Sequence, residues 1–275
     1  MSIAGGFAQA AHKTASEYHC NAMQIFTKSP RSRMVKPIDP EDAQRFRETC
    51  QKHGINYIIA HSSYLLNFGK SLAEVPWAEK DLLTDFERLS TLGGTGVIIH
   101  VGKSLDGERD IAIQNVIENA KQIVDKTEHT GLQYIIENTA GQGTEIGYRL
   151  EEMAKVWKGL DGFNKRVKTC LDTAHIWGAG YDISTPKGAA DLLTEYDKLI
   201  GIRNLSCIHF NDSKKECGSK VDRHDNLGEG LIGKEGLLAI AKYAESNSIP
   251  IILETPEKDG KTHLGDINLL RSWMG

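Results

Sequence analysis

GVIIHVG, residues 96–102, carries the pattern from which the fold can be inferred. Val97, Ile98 and Ile99 are β-branched and leave no polar alternation, which is typical of a strand buried on both faces of a parallel sheet. Comparable apolar runs recur along the chain at 22–27, 57–61, 133–138, 167–172, 205–212 and 250–255. The sequence therefore predicts seven buried parallel strands.

Amphipathic helical patterns separate these runs. The segment 39–54 begins with acidic residues and ends in Gly54, and the segment 79–94 ends in Gly93 and Gly94. Acid at the start and glycine after the end are what helix termini prefer. The repeated β-then-α unit implies parallel strands with right-handed crossovers. We predict one α/β domain over residues 1–275, a TIM (β/α) barrel, with a doubly wound open sheet as the alternative.

The composition bounds the class of protein. The 275 residues have a formal net charge of −4 and five cysteines, with no C-x-x-C pair. That cysteine usage is typical of a reducing compartment. The apolar runs are too short to span a bilayer and no signal peptide opens the chain, so we expect an intracellular, cytoplasmic protein without membrane contact. A negative charge usually disfavours nucleic-acid binding, but three divalent ions would make the total positive.

Metal-ligand side chains stand at the predicted carboxyl ends of the strands, where barrels place their chemistry. Six end the strands and three lie just beyond: His61, His100, Glu137, Asp172, His209, Glu254, and then His175, Asp222 and His224. Burying four carboxylates without compensating charge would be prohibitive. Imidazole with carboxylate and no thiolate favours catalytic zinc or manganese. Nine ligands predict a cluster of two or three ions, which suits the hydrolysis of a phosphoester.

Several motifs together resemble the endonuclease IV family of abasic-site DNA repair enzymes. They are AHSSYLLN (60–67), IIEN (135–138), CLDTAHIWGAGYDI (170–183), IHFNDSK (208–214), DRHDNLGEG (222–230) and ILETP (252–256). The likeness extends from about Ser2 to the end of the chain. It implies a TIM barrel with three zinc ions and double-stranded DNA containing abasic sites as the partner. The implied reaction hydrolyses the phosphodiester on the 5′ side of the abasic nucleotide and leaves a 3′-hydroxyl.

The resemblance also implies a role for each candidate ligand. By this resemblance, a first zinc ion would be held by His61, His100 and Glu137, a second by Glu137, Asp172, His209 and Glu254, and a third by His175, Asp222 and His224. One position would also accept Mn²⁺. Glu137 would bridge two ions, and Glu254 would orient or deprotonate the nucleophile, so these two glutamates are the candidate catalytic residues.

The resemblance implies DNA contacts in two loops. FTKSPRSR, residues 26–33, offers the cations Lys28, Arg31 and Arg33, and SYLLN, residues 63–67, offers Tyr64 and Leu65. By the resemblance, Arg31, Tyr64 and Leu65 would press into the duplex around the abasic gap as wedges. Such an enzyme would be used at the nucleoid.

One departure from the family pattern concerns the start of the chain. The family begins with a strand that ends in His-Val-Ser, whereas this sequence opens with Met1 and reaches Gly5 and Gly6 where that strand would already be finished. We therefore expect a barrel with seven strands, lacking the family's first strand and open on one side. The runs at 22–27 and 250–255 would each present an unpaired edge. We expect a monomer, although such edges would permit self-association.

Two other functions are compatible with a metal-binding barrel. A sugar isomerase or epimerase would hold one or two divalent ions mostly with carboxylates, and would have no use for His175, Asp222 and His224. A protein that binds abasic DNA without cutting it would retain binding after loss of its metal ligands.

Overall fold

In the part of the chain that the structure describes, seven parallel strands form one sheet and two short strands form an antiparallel ribbon. The computed structural model describes residues 1–29, 35–105, 107–160, 162–163 and 165–275. The strands are β1 (Ala22–Ile25), β2 (Tyr57–His61), β3 (Gly96–His100), β4 (Gln133–Glu137), β5 (Val167–Asp172), β6 (Leu205–His209), β7 (Asp212–Ser213), β8 (His224–Asp225) and β9 (Ile251–Ile252). The barrel sheet has the order β1-β2-β3-β4-β5-β6-β9, and β7 pairs with β8. The predicted TIM barrel with seven strands is confirmed.

Helices alternate with the strands and pack on the outside of the sheet. They are α1 (Phe7–Ser16), α2 (Pro40–His53), α3 (Pro76–Leu92), α4 (Arg109–Lys126), α5 (Leu150–Gly159), α6 (Thr173–Ala179), α7 (Pro186–Leu199), α8 (Lys234–Ser246) and α9 (His263–Met274). The sequence signals act where expected: the Asp39 side chain accepts a hydrogen bond from Glu41 N at the start of α2, and Gly54 ends that helix at a φ of 66°. Within the described residues, none of these helices combines the length and apolar character needed to cross a bilayer.

Apolar side chains form two separate layers. The larger layer lies between the strands and the helices, where Phe46, Phe86 and Tyr134 are fully buried. A smaller cluster fills the interior of the barrel with one side chain from each of six strands: Ile59, Ile98, Ile135, Cys170, Cys207 and Ile252. The interior of the barrel is therefore a packed core on which a site can rest, as is usual in this fold.

A seam interrupts the barrel between its first and last strands. Among the described residues, β1 pairs with β2 alone and β9 pairs with β6 alone. Side chains from α1 and α9, including Thr14 and Ile267, line the outer side of this seam. The paired part of β9, Ile251–Ile252, is shorter than the predicted run 250–255. Beyond Ile252 the chain leaves the ladder.

Candidate metal centre

Each candidate ligand of the strands lies two residues after an apolar residue of the barrel interior. In each of six strands, the residue two positions after the interior apolar residue is one of the predicted ligands, and side chains of a strand alternate between its faces. The pairs are Ile59 and His61, Ile98 and His100, Ile135 and Glu137, Cys170 and Asp172, Cys207 and His209, and Ile252 and Glu254. The ligands therefore form a polar layer directly above the apolar interior, at the carboxyl ends of the strands.

Glu137 lies at the middle of this layer and is fully buried. Its Oε2 is 3.1 Å from His61 Nε2 and 3.1 Å from His100 Nε2. Its Oε1 is 2.8 Å from His209 Nδ1. Potential ligand atoms of His61, His100 and Glu137 all lie within 4.8 Å of one another. One carboxylate thus faces two neighbouring groups of side chains, which is the geometry a bridging ligand needs.

His209 belongs to the second group. Its Nδ1 is 3.1 Å from Glu254 Oε2 and 3.9 Å from Asp172 Oδ2. Ligand atoms of Glu137, Asp172, His209 and Glu254 lie within 4.8 Å of one another. This is the same set of four side chains that the resemblance assigns to one ion.

The third group comes from α6, which carries His175, from the loop that contains Asp222, and from the ribbon strand β8, which carries His224. His175 Nε2 is 3.3 Å from Asp222 Oδ2, and His224 Nε2 is 3.2 Å from Asp222 Oδ1. Asp172 also approaches this group, since its Oδ2 is 3.6 Å from His224 Nε2. Arg223, between the two candidate ligands, donates from Nη1 to the carbonyl oxygen of Asp222. The structure brings the nine predicted side chains together in one place.

Two asparagines that the sequence reasoning missed hold these ligands in place. Asn138 Oδ1 accepts from the backbone N–H of Asp172 at 2.7 Å, and the Asn138 carbonyl oxygen lies 2.9 Å from His175 Nδ1. Asn211 Nδ2 donates to Asp172 Oδ2 at 2.7 Å, and Asn211 Oδ1 accepts from the backbone N–H of Glu254 at 2.8 Å. Their signal in the sequence was proximity, because Asn138 directly follows one candidate ligand and Asn211 lies two residues after another. Hydrogen bonds of this kind orient metal ligands.

The acids and imidazoles of the centre favour each other's charged forms. Burial alone would raise the pKa of Glu137, yet the charges of His209 and His100 hold that pKa well below its ordinary value. Burial would likewise lower the pKa of His209, but Glu254 and Glu137 raise it well above its ordinary value. A carboxylate that stays ionised when fully buried is in the form that binds a cation.

The donor set fits divalent ions. His224 Nε2 is buried and lies 3.2 Å from Asp222 Oδ1 and 3.6 Å from Asp172 Oδ2, without a well-aligned hydrogen bond to either carboxylate among the described residues. Two ligand atoms, each about 2.1 Å from one tetrahedral ion, lie roughly 3.4 Å apart. The 3.1 Å between His61 Nε2 and Glu137 Oε2 and the 3.3 Å between His175 Nε2 and Asp222 Oδ2 are near that value. Imidazole nitrogens with carboxylate oxygens suit first-row divalent ions.

The predicted DNA-contacting residues lie beside the centre where they are described. Tyr64 and Leu65 follow β2 closely, and their relative exposures are 56% and 53%. The Tyr64 ring centroid is 5.3 Å from that of His61. Arg31, with Arg33, falls outside the described residues.

Lys28 is not available to contact DNA. It is buried, with its Nζ 2.5 Å from Asp85 Oδ2 and 3.2 Å from Asp81 Oδ2 on α3. Of the three cations that the sequence offers in the loop 26–33, Lys28 is therefore buried and paired with two carboxylates.

The barrel and its layer of imidazoles and carboxylates define a metal-binding protein of the xylose isomerase-like TIM barrel class, and the family of that description matches residues 13–273. "Probable endonuclease 4" of Haloarcula marismortui is 33% identical over 276 residues, covering 100% of this chain and 97% of the relative. Endonuclease IV from Thermus thermophilus superposes with a TM-score of 0.86 at 31% identity, covering 100% of this chain and 97% of that one. The chain belongs to the endonuclease IV family.

A sugar-converting barrel is also similar in fold. A D-tagatose 3-epimerase-like protein superposes with a TM-score of 0.71 at 17% identity, covering 95% of this chain and 91% of that one. Identity at this level shows a common fold and nothing about the reaction.

Proposed function

We propose that this chain is a zinc-dependent endonuclease that hydrolyses the phosphodiester on the 5′ side of abasic sites in double-stranded DNA and leaves a 3′-hydroxyl. The observation that carries the proposal is the grouping of nine imidazole and carboxylate side chains around Glu137. Membership of the endonuclease IV family supports it further. The proposal extends to one domain over residues 1–275, acting as a monomer on intracellular DNA.

The three groups of the centre would hold three zinc ions, with Glu137 shared between two of them and Mn²⁺ acceptable at one position. Such ions lower the pKa of water and stabilise charge on phosphoryl oxygens. The described ligands differ in accessibility: Glu137, Asp172 and His209 are fully buried, whereas the side chains of His100 and Asp222 are 29% and 41% exposed. The exposed ligands mark the side from which a phosphodiester would approach.

Glu254 is suited to handle the proton of the attacking water. Its side chain is 19% exposed, so it reaches both the buried ligands and the open side of the centre. The charge of the His209 imidazole overcomes burial and holds the pKa of Glu254 well below its ordinary value. An ionised carboxylate at this place can accept or orient a proton.

Tyr64 and Leu65 would contact the DNA next to the lesion. Exposed apolar side chains can enter a base stack, and the cost is low where a base is already missing. Arg31 is proposed, by resemblance alone, to act with them.

The test is incubation with a duplex oligonucleotide that carries one abasic analogue. We expect one cut on the 5′ side of the analogue and a 3′-hydroxyl end. Glu254→Gln should abolish the cut, because the amide cannot accept the proton, while Glu257→Gln is a matched control that should cut normally. Intact substrate in the presence of protein loaded with about three zinc ions per chain would contradict the proposal. A single bound manganese with no cutting would favour a sugar isomerase or epimerase.

A further inference from the structure

Gln24 occupies the position on β1 that a candidate ligand occupies on six other strands. Ala22 packs against the interior apolar cluster, and Gln24 stands two residues later on the same strand. The alternation of a strand therefore places its side chain in the same layer as Glu137 and His209. Among the strands of the barrel sheet, β1 supplies an amide to this layer, whereas the others supply imidazoles or carboxylates.

The Gln24 amide contacts two candidate ligands of the second ion. Its Nε2 donates to Glu254 Oε1 at 2.5 Å, and its Oε1 accepts from His209 Nε2 at 2.8 Å. The residue is buried, with a relative exposure of 9%. A side-chain amide can donate and accept at once, so it satisfies an imidazole N–H and a carboxylate oxygen simultaneously.

These two bonds determine which atoms face the centre. An N–H held at His209 Nε2 would make Nδ1, the atom 2.8 Å from Glu137 Oε1, the nitrogen that gives up its proton when an ion binds. Occupying Glu254 Oε1 leaves Oε2 directed at the same place, 3.1 Å from His209 Nδ1. Partners of this kind fix the tautomer of a ligating histidine and the orientation of a ligating carboxylate.

We propose that Gln24 is a positioning residue that holds His209 and Glu254 in the form required to bind the second ion. The inference rests on the proposed function, since it assumes that this group binds a metal. Through Gln24, β1 would take part in the site although it contributes no metal ligand. The bond from Gln24 to Glu254 crosses the seam, so one side chain joins the two sides of the barrel that backbone pairing leaves apart.

The experiment compares Gln24→Met with wild type and with Gln133→Met. Methionine keeps the length of the side chain and removes both hydrogen bonds. Gln133 is a matched control because it begins β4 and accepts from Ser206 Oγ at 2.5 Å, four residues before Glu137 and at the opposite end of the barrel. Zinc affinity is measured by competition with a chromogenic chelator, and the visible spectrum of the cobalt-substituted protein reports the ligand geometry.

We expect Gln24→Met to weaken by about 10- to 100-fold the binding of one zinc ion, the second one, held by Glu137, Asp172, His209 and Glu254, and to alter the cobalt spectrum. Gln133→Met should do neither. Gln24→Asn, whose amide is one methylene too short to reach both partners, should weaken zinc binding in the same way and serves if the methionine variant folds poorly.

Three results would overturn the inference. If Gln24→Met keeps the zinc affinity and the cobalt spectrum of the wild type, the role of Gln24 is overturned and the proposed function stands. An equal loss of zinc affinity in Gln133→Met would show a general effect on the barrel and would also overturn the role of Gln24 alone. Failure of the wild-type protein to bind zinc would overturn the inference and the proposed function together.

Discussion

Tyr64 and Leu65 are large apolar side chains exposed beside a polar centre. Their exposure means that neither contributes much to the core, and the Tyr64 ring packs only partly, against Phe26 and His61. The hydroxyl end of Tyr64 is partly shielded from water and faces the charges of Glu254 and Glu137, which raises the pKa of that hydroxyl above its ordinary value, so the ring stays neutral. A neutral, exposed aromatic ring next to a cleft is suited to stacking against a nucleotide.

Tyr64→Ala is expected to weaken the binding of abasic duplex by about 1–3 kcal/mol, the typical contribution of one stacked ring. Leu65→Ala should act in the same direction. Zinc content should not change, because neither side chain belongs to the ligand groups. Fluorescence titration with the duplex and elemental analysis measure the two quantities.

Leu269→Ala provides the control for this pair. Leu269 is an exposed leucine on α9 and should leave DNA binding unaltered. Loss of zinc from Tyr64→Ala would instead assign Tyr64 to the support of the centre.

At the scale of elements, an internal ion pair fixes the loop after β1 to α3. Lys28 lies between Asp81 and Asp85, and Arg88 donates from Nε and Nη2 to the carbonyl oxygen of Thr27. Burial raises the pKa of Asp85, while Lys28 acts against that rise. This anchor fixes Thr27 and Lys28 against α3.

Lys28→Met should destabilise the protein by roughly 3–5 kcal/mol, because it leaves carboxylates buried without a partner. Removing charge from the other side as well, in Lys28→Met with Asp85→Asn, should recover part of the loss. The free energy of unfolding is measured by denaturant titration.

Lys103→Met is the matched control for the ion pair. Its Nζ is 3.4 Å from Glu145 Oε1, but the Lys103 side chain is half exposed, so the change should cost no more than about 1 kcal/mol. Equal losses in Lys28→Met and Lys103→Met would show that the buried anchor has no special importance.

Some features of these strands and helices could be predicted from the sequence, and others could not. The existence of the seven strands and the ligands that follow them were predictable because they depend on local composition, whereas the runs at 205–212 and 250–255 end earlier in the structure, at His209 and Ile252. The roles of Asn138, Asn211 and Gln24 were not, because each depends on a hydrogen bond between distant segments; Gln24 and Glu254 are 230 positions apart. The burial of Lys28 was missed for the same reason, since its partners belong to α3.

For the whole molecule, bound ions should contribute to stability. The centre joins side chains from β2, β3, β4, β5 and β6 with Glu254 beyond β9, so a ligand that binds only the folded chain stabilises the barrel as a unit. Removal of metal by a chelator should lower the thermal midpoint by roughly 5–10 °C. Differential scanning calorimetry checks this, and restoring zinc should restore the midpoint. An unchanged thermal midpoint after complete removal of metal would show that hydrogen bonds and ion pairs within the polar layer are enough to stabilise the barrel.

The seam gives the barrel two ends, as a split ring has. In a closed barrel every strand is paired on both sides, whereas here the two edge strands, β1 and β9, are each paired on one side. Backbone fraying should therefore begin at β1 and β9 and spread toward β4, which lies farthest from both ends in the sheet order. At the carboxyl ends of the strands, the ligand layer crosses the seam: Glu254 follows β9, and Gln24 on β1 donates a hydrogen bond to it. The proposed chemistry and the closure of the barrel would thus depend on the same few side chains.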